Sequence, residues 1–205
     1  MMKVIVVTGG IGSGKSQVCD ILEKKGNVAR YDADTRVKAL YVEFPELLSD
    51  IEKALGCCLR NEDGDFVPSG LAAKIFSDRE ALGIVENLVF PALIDDFDDF
   101  CARNKDCGYV VFESATILEK PQFDGFGDIV LLVDAPFEVR LERACLRDGK
   151  SRDEILERMR NQKLMNKLSD GGSDPRIDVV IVNDGSFEEL EDKIDNLHNN
   201  ILRTE

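Results

Sequence analysis

Gly9-Gly10-Ile11-Gly12-Ser13-Gly14-Lys15-Ser16 decides the fold. It is a complete G-x-x-x-x-G-K-[ST] loop, preceded by the apolar run Val4-Ile5-Val6-Val7 and followed by apolar residues at helical spacing, Val18, Ile21 and Leu22. Strand, glycine-rich loop and helix in that order are the context the motif needs. Glycines let the backbone curl until successive N–H groups point inward and cradle a phosphate. The N-terminus of the following helix adds about half a positive charge. Lys15 is placed to reach β- and γ-phosphates, and the Ser16 hydroxyl is placed to meet Mg²⁺. These eight residues point to a nucleoside triphosphate as ligand.

Composition narrows the chemistry around that loop. The chain has 205 residues and a formal net charge of −14, with no basic stripe, so it repels a nucleic-acid backbone and nucleic acid is not expected as a partner. An anionic nucleotide must then be held by locally concentrated donors. His198 is the one histidine, which excludes a Ser-His-Asp triad, a histidine-bearing zinc site and most histidine acid–base schemes. The chemistry falls to carboxylates, lysine, arginine and metal. The six cysteines, at 19, 57, 58, 101, 107 and 145, lack C-x-x-C spacing and read as reduced thiols. No apolar stretch reaches 18 residues, and Met-Met-Lys running straight into a strand does not have the form of a signal peptide. A cytoplasmic chain with no membrane partner is expected.

Short apolar strands alternate with helical patterns, the signature of an α/β parallel sheet. Strands are expected at 3–8, 27–31, 108–113, 128–134 and 177–182, the last three as continuous apolar runs covered on both faces. Helical spacing fills 15–25, 34–42, 44–55, 69–76, 79–105, 136–146, 151–168 and 187–202. About 75 residues between the second and third strands are too many for a simple crossover and read as an inserted helical subdomain. Its stretch Ile94-Asp95-Asp96-Phe97-Asp98-Asp99-Phe100 has the spacing of an amphipathic helix with a solvated acidic face. Arg143, Arg147, Lys150, Arg152, Arg158, Arg160 and Lys163 form the densest cationic stretch. Two readings stand: surface pairing with Glu142, Glu154 and Glu157, or an arginine-bearing lid over the triphosphate.

Asp32-Ala33-Asp34 falls at the carboxyl end of the second strand, where ligands of open parallel sheets bind. One carboxylate could take a proton from an attacking hydroxyl while the other holds Mg²⁺-bound water; either could also open the next helix. Glu113 ends the third strand, placed to organise the Mg²⁺ shell or to cap the segment that follows. An N-K-x-D guanine reader is missing, and Lys15 breaks the G-x-G-x-x-G spacing of a dinucleotide fold. A small-molecule kinase is favoured.

The ordered set of motifs resembles the dephospho-coenzyme A kinase family over about residues 3–195. The resemblance rests on Thr8 through Ser16, on Asp32-Ala33-Asp34 and on Leu71-Ala72-Ala73-Lys74-Ile75-Phe76-Ser77-Asp78. It continues through Val133-Asp134-Ala135-Pro136, Arg143 with Arg147-Asp148-Gly149, Asn161-Gln162 and Ile181 through Ser186. Phe90-Pro91 stands where the family commonly has His-Pro. The resemblance implies a P-loop NTPase three-layer sandwich, adenylate-kinase-like, with a five-stranded parallel sheet. Residues 1–34, 106–140 and 174–205 would form its core, 35–105 a helical substrate domain and 141–173 a lid. The implied reaction is ATP-dependent phosphorylation of the ribose 3′-hydroxyl of dephospho-coenzyme A. In it Gly10, Ile11, Gly12, Ser13, Gly14, Lys15, Ser16, Gln17 and Arg147 would hold nucleotide, with Mg²⁺ on Ser16. Lys15, Asp34, Asp32 and Arg143 would do the chemistry, Asp34 as base and Arg143 over the transferring phosphoryl group. The alternatives are a kinase of a nucleoside monophosphate or sugar acid, or a regulatory ATP-binding module.

Overall fold

The computed structural model describes residues 2–203, which divide into two compact units: 2–32 with 104–203, and 33–103. The first is built on β1 (Lys3–Gly9), β2 (Val28–Asp32), β3 (Tyr109–Glu113), β4 (Ile129–Asp134) and β5 (Val179–Val182). All neighbouring strands are parallel, in the order β2-β3-β1-β4-β5. All five expected strands form. β1 lies at the centre because its run from Ile5 is buried on both faces, as a parallel sheet requires.

One face is covered by α1 (Lys15–Lys24) and α9 (Phe187–Arg203). Val18, Ile21 and Leu22 of α1 and Leu190, Ile194 and Ile201 of α9 pack on Ile5, Val7, Val111, Leu131 and Val133. Tyr31 and Phe112 stack with ring centres 5.4 Å apart, and Phe126 meets Phe112 edge-on at 4.7 Å. The segment carrying Phe123 and Phe126 contains two single-turn 3₁₀ helices, Ile117–Glu119 and Pro121–Phe123. β5 differs from expectation. Ile181 enters the core, but Val180 and Val182 are 55% and 41% exposed, so this run is covered on one face only.

After β4 come α6 (Phe137–Asp148), α7 (Arg152–Arg160) and α8 (Lys163–Ser169). The single pattern expected over 151–168 is two helices. Ser151 and Glu154 form a capping box that starts α7, and Asn161-Gln162 interrupts it. α8 then begins with the Leu164 N–H donated to Glu119 Oε1 at 3.0 Å. Leu141 and Ala144 of α6 pack on Ile155 and Met159 of α7, with Ile11 of the glycine-rich loop against the same cluster.

The second unit holds α2 (Ala33–Glu43), α3 (Pro45–Leu55), α4 (Pro68–Ser77) and α5 (Arg79–Arg103). Pro45 and Pro68 open their helices, where a missing N–H costs nothing, and Gly56 ends α3 in the left-handed conformation. Tyr41, Leu48, Ile51, Leu71, Val85 and Val89 form its core. The acidic stretch of α5 departs in part from a solvated face. Asp95, Asp98 and Asp99 are exposed, whereas Asp96 is held by Arg36 Nε and Nη2 at 2.9 and 2.7 Å. Among the described residues no group of acidic, histidine and cysteine side chains has a metal-binding arrangement of three or more.

Candidate active site

The carboxyl ends of the strands bring the polar residues of the first unit together. β1 runs into the P-loop, β2 ends on Asp32, β3 on Glu113 and β4 on Asp134, and Asn183 follows β5. Asp32 pairs in register with Glu113, and Asp134 with Val182. The chain leaves β1 toward the β2 edge and leaves its neighbour β4 toward the β5 edge, so the carboxyl ends of β1 and β4 flank the switch point at which open α/β sheets bind ligands.

The P-loop closes on itself and is braced from two sides. Ser13 N–H donates to Gly10 O at 3.1 Å, and Gly14 caps α1 with φ of 95°, a conformation that glycine adopts without strain. Lys15 arches back across the loop, its Nζ donating to Gly9 O at 2.9 Å and Gly10 O at 3.3 Å. Its ammonium is therefore held above the loop's opening residues. Gln162 Oε1 accepts the Ile11 N–H at 2.9 Å, and Asn183 Nδ2 donates to Ser13 O at 3.0 Å. Both side chains are buried. Ile11, expected among the nucleotide donors, thus turns its N–H to Gln162 and its side chain to α6 and α7. Gln17 is exposed on α1, its Oε1 3.5 Å from Asn183 Nδ2.

Ser16 belongs to a charged network that the sequence did not reveal. Its hydroxyl donates to Glu113 Oε1 at 2.8 Å, while Arg30 Nε and Nη2 donate to Glu113 Oε2 at 2.9 and 2.5 Å. Arg30 also pairs with Asp20. Burial opposes the charge on Arg30, but the hydrogen bonds and charge of Glu113 outweigh it and hold its pKa above the ordinary range. Because Ser16 donates its proton to Glu113, its oxygen lone pairs stay available to a cation. A hydroxyl backed by carboxylates is a hard-oxygen set suited to Mg²⁺, which keeps several waters and takes few protein ligands. The residues present fit that ion. The signal for Arg30 was an arginine inside a strand, Val-Ala-Arg-Tyr-Asp, whose charge has to be matched from a neighbouring strand.

Asp34 is exposed in the first turn of α2, in the helical unit, so it and Asp32 fall in different units. Arg143 Nη1 donates to Asn183 O at 3.0 Å, which ties α6 to the residue that braces the P-loop at Ser13. Arg147 bonds Asp148 at 2.7 Å, and Arg158 reaches the same carboxylate at 2.5 Å. Lys150 pairs with Glu154, and Arg152 with Glu138. Much of the basic stretch is therefore ion-paired at the surface.

Comparison with known proteins gives this site its family. The dephospho-CoA kinase family model matches residues 3–189. This chain belongs to the dephospho-CoA kinase family. A dephospho-CoA kinase of Chlorobium chlorochromatii is 32% identical over 210 residues, covering 98% of this chain and 94% of its own. A Thermus thermophilus protein of known crystal structure superposes with a TM-score of 0.81 at 29% identity, covering 97% of each chain. The structure of a dephospho-CoA kinase from Campylobacter jejuni, at 22% identity, shares the fold with a TM-score of 0.67, covering 99% of this chain and 98% of its own. The chain is thus a kinase on a P-loop α/β fold. In this family member the P-loop is fixed by Gln162 and Asn183, and its serine by Glu113 and Arg30.

Proposed function

We propose that this chain transfers the γ-phosphoryl group of ATP to the ribose 3′-hydroxyl of dephospho-coenzyme A, giving ADP and coenzyme A. The observation that carries the reading is the P-loop with Lys15 folded over it and Ser16 backed by Glu113, in a chain matched to the family over residues 3–189. Backbone N–H groups of Gly12 and of Gly14 through Ser16 hold the β-phosphate, and Lys15 exchanges carbonyl partners for phosphate oxygens. Ser16 would hold Mg²⁺, with Asp32 and Glu113 placed to orient its waters, and the ion would supply charge neutralisation to the triphosphate. Asp34 accepts the proton of the attacking hydroxyl, which needs only a carboxylate in hydrogen-bond reach. Arg143 and Arg147 stabilise charge on the phosphoryl group in flight. The helical unit, 33–103, takes dephospho-coenzyme A, and 141–173 serves as the lid. Among the described residues no helix is long and apolar enough to cross a membrane, and we place the reaction in the cytoplasm without a nucleic-acid partner.

The test is ADP release in a coupled assay with Mg²⁺ and ATP. Release only on adding dephospho-coenzyme A, with product phosphorylated at the 3′ position, supports the reading. Equal release with a nucleoside monophosphate or a sugar acid would replace the acceptor. Release independent of any acceptor would make the chain a slow ATPase.

A further inference from the structure

Arg140, one turn before Arg143 on α6, is the unexplained cation of this site. It is 4% exposed. Its guanidinium lies over the Phe137 ring, 5.9 Å from the ring centre, and Asp134 Oδ1 lies 3.7 Å from Nε, both of these atoms buried without a hydrogen-bond partner. A buried charge whose ion pair is too long for a hydrogen bond is costly, and structures seldom retain one without a use. Burial pulls its pKa below the ordinary arginine range, and the charge of Asp134 offsets this only in part.

Its surroundings say what would complete it. Nη1 lies against Gly10, so close that a Cβ there would collide with it, and the Arg140 carbonyl lies equally close to Gly12. The guanidinium also lines a cavity of about 300 Å³ with Phe137, Arg160, Met165 and Asn166. Met165 is buried, and its side chain lies against Gly10 as well. Two of the residues lining the cavity, Arg140 and Met165, therefore also lie against Gly10 of the P-loop, and the lining carries a second arginine, Arg160, and one carboxylate, Asp170.

We infer that Arg140 is a phosphoryl-binding residue, donating to the oxygens of a phosphoryl group held between Gly10 and this cavity. A planar guanidinium matches two phosphate oxygens at once, and an anion is the occupant that offsets its burial. Two sources carry that chemistry: the terminal phosphate of the nucleotide and the diphosphate of the acceptor. The second source rests on the function proposed above, the first on the P-loop alone.

The experiment compares wild type with Arg140→Met and Arg140→Gln, both neutral and unbranched along the arginine stem, and with Arg140→Lys. Calorimetric titration measures affinity for the β,γ-imido analogue of ATP, for ADP and for dephospho-coenzyme A, and Tm is taken without ligand. We expect the ligand-free Tm of the neutral variants to match or exceed wild type, because an unmatched buried charge has gone. Affinity for one phosphoryl-bearing ligand should fall about ten- to a hundredfold, with lysine restoring part of it. Loss confined to the ATP analogue, with ADP unchanged, assigns the terminal phosphate. Loss confined to dephospho-coenzyme A assigns the acceptor's diphosphate. Unchanged affinities would overturn the inference, as would a fall in all three together with a lowered Tm, since Arg140 would then brace the loop. Failure of both neutral variants to fold overturns it for the same reason. If wild type neither binds nor phosphorylates dephospho-coenzyme A, the proposed reaction fails, and the comparison of ATP analogue with ADP still decides the role of Arg140.

Discussion

In the proposed reaction Lys15 and Glu113 do different work on the same nucleotide, and single substitutions separate them. Lys15 donates to the carbonyls of Gly9 and Gly10 at the mouth of the loop and belongs to none of the hydrophobic clusters, so its loss should spare the core. Lys15→Ala should leave Tm within about 1 °C of wild type while turnover drops about a hundred- to a thousandfold, the usual loss of one preorganised charge donor. Turnover like wild type would remove the P-loop assignment. Glu113 is buried and neutralises Arg30, so Glu113→Gln strikes both fold and site. Breaking a buried pair costs about 3–5 kcal/mol. The loss should lie at the low end, because Arg30 keeps Asp20. The Mg²⁺ concentration giving half-maximal turnover should rise about ten- to a hundredfold, as for other residues that orient metal ligands. Destabilisation with an unchanged Mg²⁺ requirement would leave Glu113 a purely structural partner of Arg30.

At the scale of elements, the segment before β5 is held by a second arginine. Arg176 donates to both oxygens of Asp174, at 2.9 and 2.7 Å, to Asp124 at 2.7 Å and to Leu118 O at 2.7 Å, fastening that segment to the 3₁₀ turns after β3. The hydrogen bonds from Arg176 outweigh burial and lower the Asp174 pKa to about 2. An unfolded aspartate titrates near 3.9. The folded value is the lower one, so this stabilisation is complete above about pH 4 and fades as pH falls toward 2. Asp174→Asn should therefore cost roughly 2 kcal/mol at pH 7, and the gap to wild type should narrow to about half by pH 3. Urea unfolding at both pH values measures it; a gap that stays constant would show that Asp174 acts through packing and not through charge. This clasp was invisible in the sequence because Asp124 and Asp174 are brought together only by folding. What was legible had local causes: the Val-Ile runs set the five strands, and Gly14-Lys15-Ser16 after β1 set the loop. The break at Asn161-Gln162 was hidden because helical spacing continues through it, while the reason for it, the Ile11 N–H, lies 151 residues away. Arg30 and Arg140 escaped notice for a related reason. Surface pairing is the ordinary fate of an arginine, and only burial reveals that these two answer to something else.

Over the whole molecule the field opposes the proposed ligands. Forty acidic residues against twenty-six lysines and arginines leave a net charge of −14, while ATP and dephospho-coenzyme A are both anions. The two effects act over different ranges. Repulsion by the surface charge is long-range and is screened beyond about 10 Å at 0.1 M salt. The proposed donors of the site are backbone N–H groups, Lys15 and the arginines of α6, whose contacts with a bound phosphate would be short and little screened by salt. Association is governed by the first and dissociation by the second. Raising ionic strength from about 10 to about 150 mM should therefore speed ATP association by about two- to fivefold and leave dissociation nearly unchanged. Stopped-flow binding of a fluorescent ATP analogue measures both rates. Association that slows with salt would mean that cations at the carboxyl ends of the strands project a positive field past the acidic surface, and the net charge would then say nothing about how the nucleotide arrives.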